Sequence, residues 1–136
     1  MKSQMVALDV ATGQVLPLKI YIPRSRTGVP FMLLFQDAAE MLERIRLSGS
    51  AHRVLWALLR RMDYENRVIV TQHELAEELG MQRQNVNRAL RELKLAGLVA
   101  LQRPGLYVIH PDLVWKGKPH RRALVRQRIV ETIARA

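Results

Sequence analysis

Cysteine is absent from this 136-residue chain, which excludes both a disulfide framework and a thiolate metal site. Its four histidines (His52, His73, His110 and His120) stand without ligand spacing and read as surface or capping residues, so neither metal nor cofactor is expected. Aromatic residues are scarce, 5% against 49% hydrophobic overall, a balance that suits a small helical protein with a Leu, Val and Ala core. No run approaches the roughly 18 uncharged apolar residues of a membrane span. The first twenty residues also lack the charged-then-apolar layout of a secretion signal, so a cytoplasmic protein without a membrane partner is expected. Catalytic sets are missing as well: there is no Ser/His/Asp order, no pair of acids in a plausible cleft and no phosphate-binding glycine loop. The chain is not expected to be an enzyme.

Acidic residues are also few where they matter most. Residues 1–82 carry ten Lys/Arg against nine Asp/Glu, a balance of +1, whereas residues 83–136 carry twelve against three, a balance of +9. A basic half of this kind suits a polyanion, because each phosphate it neutralises releases condensed counterions.

The length allows one domain with terminal additions. Residues 5–10 and 15–22 are β-rich runs joined by Ala11-Thr12-Gly13-Gln14, which predicts an N-terminal β-hairpin, with Pro17 placing its second strand at an edge. Residues 23–30 read as a linker. From Phe31 onward apolar residues recur at helical steps (Phe31, Leu34, Phe35, Ala38, Leu42, Ile45), and Ala51, Val54, Leu55, Leu58, Leu59 and Met62 form a second such stripe. Trp56 falls off that stripe, where it covers the hairpin or faces a partner subunit. Residues 67–70 are a short β-prone segment.

Thr71-Gln72-His73-Glu74 has the spacing of a capping box and starts a short helix that Gly80 ends. A longer helix is expected from Arg83 to Ala96, stopped by Gly97, followed by strand-like runs at 98–103 and 106–110 around Pro104-Gly105. This is the layout of a helix-turn-helix with a wing. Ala76 is small where the second helix crosses, Gly80 supplies the turn, and Leu75, Leu79, Val86, Leu90 and Leu93 face inward. The opposite side of the second helix shows Gln84, Asn87, Arg88 and Arg91, with Arg83 at its start, Asn85 at the border and Leu95 interrupting the polar face. Gln, Asn and Arg are the side chains that present paired donors and acceptors to base edges in the major groove. Gln82 is a poor cap for this helix. Arg103 at the wing tip reaches a phosphate or the minor groove, or is simply a solvated turn residue, and Thr71 and Gln72 complete the candidate DNA contacts.

Residues 116–135 hold seven basic residues and one acid, with Val125, Ile129 and Ile133 on a stripe. Such a helix packs on the body, pairs two subunits, follows the DNA backbone or lies on a membrane surface.

Residues 62–67 (Met-Asp-Tyr-Glu-Asn-Arg), the segment 71–97, and the closing stretch from Gly105-Leu106-Tyr107 through His110-Pro111 to Trp115-Lys116-Gly117-Lys118 resemble the RepL family of plasmid replication proteins. The similarity reaches upstream to Thr12-Gly13-Gln14-Val15 and to residues 31–38, and covers roughly residues 5–118. His110-Pro111 stands where that family often has Asn-Pro. The resemblance implies a winged-helix protein tied to plasmid replication or copy maintenance, one that marks an origin and recruits host replication proteins.

The expected fold is therefore α+β: a winged helix-turn-helix, mostly α, with the hairpin and linker at 1–30, the DNA-binding domain at 31–118 and a basic amphipathic helix at 119–136. The expected function is sequence-specific binding of double-stranded DNA by a homodimer, as a replication initiator. A transcriptional repressor or autoregulator of the same fold, and a winged-helix protein-interaction module, are the alternatives.

Overall fold

Three antiparallel strands and the helices packed on both of their faces organise the computed structural model, which describes residues 30–135. In chain order the elements are β1 (Leu33–Leu34), α1 (Gln36–Arg44), α2 (Gly49–Arg61), β2 (Arg67–Ile69), α3 (Gln72–Leu79), α4 (Arg83–Leu95), β3 (Val99–Arg103), β4 (Leu106–Ile109), β5 (Val114–Trp115) and α5 (Arg122–Arg135). The strand order is β2-β4-β3, and β1 pairs with β5 in a separate two-stranded ladder. This is the α+β winged helix-turn-helix expected from the sequence. The hairpin at residues 5–22 and the linker after it lie outside the described residues.

The stripe of α2 is buried in full: Ala51, Val54, Leu55, Leu58, Leu59 and Met62 join Leu75, Val86, Leu90 and Leu93 in the main core. Ser48 caps α2 by accepting the Ala51 N–H, and Trp56, off the stripe, is exposed among the described residues. All four residues of β4 are buried, because the strand is central and both its faces are covered. Tyr107 and Ile109 belong to the main core, while Val108 turns to the opposite face.

That opposite face decides among the readings left open for the last helix. Val125 and Ile129 of α5 are buried against Ala100, Val108 and Trp115, so these two residues pack on the body, close a second small core and are not open for self-association. Burial of two such side chains stabilises the packed helix by about 1.5–3 kcal/mol each. The Ile133 side chain is outside the described set. Arg122 lies over the Phe35 ring, 4.2 Å from its centroid, and with Arg126 it bonds Asp112, so three basic positions of α5 or its entrance are tied to the body once Arg121–Glu65 is included.

The first helix also begins later than its periodicity suggests. Leu33 and Leu34 are extended and pair with Trp115 and Val114, and Phe35 is the N-cap of α1. A short apolar run satisfies helical spacing and strand pairing alike, and here the partner strand decides.

Residues 62–67 and 110–118, distant in sequence, meet. Asn66, fully buried, donates through Nδ2 to the carbonyls of Ile109 (2.9 Å) and Val114 (2.8 Å) and accepts the Lys116 N–H through Oδ1 (3.0 Å). Glu65 N–H donates to the Lys116 carbonyl at 2.6 Å, and Lys116 Nζ reaches the Met62 carbonyl and lies 5.5 Å from the Tyr64 ring centroid. Glu65 and Asn66 both take positive φ (59° and 61°), a strained turn that these bonds hold in place. In the same region His110 Nδ1 accepts the Asp112 N–H at 3.0 Å, the bond an asparagine oxygen makes in an Asx-turn, so histidine serves at this position.

Candidate nucleic-acid interface

The capping box of α3 is complete. Thr71 Oγ1 accepts the Glu74 N–H at 3.0 Å and Glu74 Oε1 accepts the Thr71 N–H at 2.8 Å. The bonds from Thr71 backbone and side chain hold the Glu74 carboxyl below its usual range. Because the threonine oxygen accepts in this arrangement, its hydroxyl proton remains available to donate outward. Gly80 ends the helix at φ 64°, in the left-handed region that favours glycine, and Met81 N–H returns to the Ala76 carbonyl at 3.0 Å.

Helix α2 grips the pair from behind. Arg53 Nη2 donates to the Leu79 carbonyl at 2.6 Å, and Arg60 and Arg61 both pair with Glu78. At the far end of α4, Glu92 accepts from Ser48 N (2.7 Å) and Ser48 Oγ (2.8 Å), and these bonds lower its pKa. Glu92 is the sole acid in the α4 sequence, so its use as a tether to the start of α2 leaves the outer face of α4 without a carboxylate.

On that face Arg83, Gln84, Asn87, Arg88 and Arg91 are all exposed. Gln82 is the N-cap but makes no capping bond, and its Oε1 instead accepts from Gln84 Nε2 at 3.2 Å. Asn85, half-buried, accepts from Arg88 Nη1 at 3.5 Å. Gln72, half-buried at the start of α3, donates from Nε2 to Asn87 Oδ1 at 3.4 Å, which links the first turn of one helix to the outer face of the other. Leu95 is 84% exposed, as its place on the wheel predicts.

The wing closes through the Pro104-Gly105 turn, with Gly105 at φ 82° and Val70 N–H donating to the Gly105 carbonyl. Arg103 is exposed at its tip. Thr71 and Arg103 line a shared cleft of about 260 Å³ with Ile69, Pro104 and Leu106, whereas no bond joins Arg103 to a side chain of α4 among the described residues. Arg44, Arg60, Arg61, Arg121, Arg122 and Arg126 are paired on the body, while Arg83, Arg88, Arg91 and Arg103, like Arg46, Arg67, Lys94, Lys118 and Arg128, make no ion pair among the described residues. Cations left unpaired on one face are available to phosphates and bases.

Two participants escape a sequence reading. Tyr107, in β4, is buried, which raises the pKa of its hydroxyl against an opposing influence from Gln72, but in sequence it is one aromatic within an apolar run. Asn85 steadies Arg88 from the border of the polar face. No group of His, Asp or Glu among the described residues is arranged to hold a metal ion. No helix among them is long and apolar enough to cross a membrane.

Comparison with known proteins places this geometry in context. Residues 47–105, from the cap of α2 to the wing turn, match the model of the MarR family. No curated protein and no solved structure matches the chain. The match covers the winged helix-turn-helix that the RepL resemblance also implies, and bears on nothing specific to replication.

Proposed function

We propose that this chain is a sequence-specific double-stranded DNA-binding regulator of transcription that acts as a homodimer. One observation carries the reading: the outer face of α4 presents Arg83, Gln84, Asn87, Arg88 and Arg91 exposed, with the helix's single acid tethered away to Ser48. Arg83, Gln84, Asn87 and Arg88 occupy the N-terminal half of the helix, the part a recognition helix inserts deepest. Arg matches guanine and Asn or Gln matches adenine on their major-groove edges. Thr71, Gln72 and Arg103 flank this face, Thr71 and Arg103 as phosphate donors. The MarR match over residues 47–105 supports a DNA-binding regulator.

The dimer follows from site size. A single recognition helix reads only about 4 to 6 base pairs, too few for selection in a genome, and a two-fold dimer would read half-sites about 10 base pairs apart or a multiple of that. Selection from a random duplex library, then footprinting on the selected site and sedimentation of the free protein, tests both parts. An enriched two-fold motif and a dimer are the expected results. Equal retention of all duplexes would refute sequence-specific binding, and a monomer protecting one short half-site would refute the dimer.

The replication role implied by the RepL resemblance is the rival. Its more particular segments, 62–67 and 110–118, bond to one another within the fold through Asn66, while Asp63, Tyr64, Arg67, Asp112 and Lys118 stay exposed. A plasmid-retention assay separates the two roles: loss of the plasmid on deletion of the gene would favour the initiator, and retention with altered transcription the regulator.

A further inference from the structure

The far end of α4 is fastened to the body at one serine. Ser48 donates to both oxygens of the Glu92 carboxylate, through its N–H to Oε2 at 2.7 Å and through Oγ to Oε1 at 2.8 Å. The same Oγ accepts the Ala51 N–H at 3.1 Å and so caps α2. The direction of these bonds is fixed, because an ionised carboxylate only accepts and a backbone N–H only donates. Among the described residues Glu92 is the one α4 side chain that bonds to Ser48 and α2. Gln84 and Arg88 bond within their own helix or to its cap, and Asn87 meets Gln72 of α3. At its other end α4 leaves the turn at Gly80, where α2 takes hold again through Arg53 and the Leu79 carbonyl at 2.6 Å.

We propose that Ser48, acting through Glu92, is a positioning residue that sets the inclination of α4 against α2 and thereby its discrimination among base pairs. This deepens the DNA-binding reading and rests on it. Val86, Leu90 and Leu93 hold α4 to the core. Apolar packing of this kind fixes the separation of two helices more firmly than their crossing angle, which scatters by about 15–20° within one packing class. A directional bond at each end removes that freedom. From Arg83 to Glu92 the helix rises about 13 Å, with Arg88 roughly half way along, so a slip of about 2 Å at Glu92 carries Arg88 about 1 Å. A binding constellation tolerates only about 0.5 Å. Misplaced side chains still meet phosphates, so the loss falls on discrimination more than on affinity.

The test uses the full chain as wild type, Ser48→Thr, Ser48→Asp and Glu92→Ala, with thermal midpoints to establish folding. Threonine keeps both the cap and the donor. Aspartate keeps the cap but sets a carboxylate against that of Glu92, and Glu92→Ala removes the acceptor while leaving Ser48 to cap α2. These two broken variants change net charge in opposite directions, so affinity for random duplex should fall in Ser48→Asp and rise in Glu92→Ala. Discrimination, the ratio of affinity for the selected site to that for random duplex, should nevertheless fall in both by roughly 3- to 10-fold, and stay within about 2-fold of wild type in Ser48→Thr. Residual dipolar couplings of the free protein should show α4 turned against α2 by roughly 5–10° in both broken variants and unmoved in Ser48→Thr. Discrimination that is unchanged in both, or that follows charge by falling in one and rising in the other, would overturn the proposal. An unmoved α4 in Glu92→Ala would do the same, and each of these results leaves DNA binding intact. Absence of any preference in the wild type, seen before a variant is made, would instead remove the DNA-binding reading and the positioning role with it.

Discussion

The Asn66 side-chain oxygen accepts the backbone N–H of Lys116 at 3.0 Å, across fifty residues of chain, while its NH2 spans the carbonyls of Ile109 and Val114. One buried amide thus joins the turn after α2, the end of β4 and the start of the final segment. Asparagine tolerates the left-handed backbone needed there and offers both a donor pair and an acceptor.

Substitution Asn66→Ala should therefore destabilise the protein strongly, by about 2–4 kcal/mol, since three buried backbone groups lose their partner and the backbone strain persists. Asn66→Asp should fare no better, because a carboxylate cannot donate to the two carbonyls. Urea unfolding measures both. A loss below about 0.5 kcal/mol would place the stability of this junction elsewhere.

Replacing Asn87 or Arg88 with Ala should weaken binding to the selected site by about 1–3 kcal/mol and leave non-specific binding less changed. Both side chains are exposed on α4 and neither lies in the core, so folding should be unaffected. Titration of specific and random duplexes at one salt concentration decides. Equal losses on both would mean that these residues meet only phosphates.

From the sequence, truncation after Lys118 is expected to leave a folded domain with lowered DNA affinity, dimerisation or both. The packing of Val125 and Ile129 on Ala100, Val108 and Trp115 alters that expectation. Removing α5 would bare this face of the wing sheet, so the truncated chain should unfold at lower denaturant and Trp115 should emit at longer wavelength in a Trp56→Phe background. A milder probe, Ile129→Ala, should cost about 2–5 kcal/mol. If truncation leaves the Trp115 emission and the unfolding midpoint unchanged, α5 does not cover this sheet in solution.

Burial lowers the pKa of His110 from its ordinary value of 6.5, and Arg126 and Arg122 act in the same direction against the opposing charge of Asp112. The unfolded chain therefore binds a proton at higher pH than the native one. Stability from this group is full above pH 6.5 and falls as pH drops through the window between 6.5 and the lowered native value, by at most about 1.4 kcal/mol per pH unit. Below that, Glu65, whose pKa is lowered chiefly by its bond from Arg121, adds a separate acid loss below its ordinary 4.5. His110→Asn keeps an acceptor for the Asp112 N–H without titrating, so the upper part of the acid loss should vanish in a pH series of unfolding midpoints. An unchanged profile would assign that loss to another group.

Where local signals are strong, the chain is legible without its structure. Thr71 and Glu74 close the capping box, Gly80 takes the left-handed turn, Gly105 turns the wing, and the inward stripe of α4 is buried as its spacing predicts. Each depends on residues a few positions apart, whose chemistry suits one backbone geometry. The polar face of α4 is legible for the same reason, since helical periodicity alone puts Gln84, Asn87, Arg88 and Arg91 opposite Val86, Leu90 and Leu93.

Long-range pairing is a different matter. Leu33 and Leu34 fit a helix by spacing and become a strand because Val114 and Trp115 are there to pair with them. The stripe of α5 predicts a buried face but not its cover, and the cover is the back of the wing sheet rather than a second subunit. Nothing near Ser48 in sequence points to Glu92, nor near Asn66 to Lys116. An apolar stripe or a buried polar group states that it needs a partner; which of many chemically equivalent partners it meets depends on how the helices and strands pack, and that choice belongs to the folded chain as a whole.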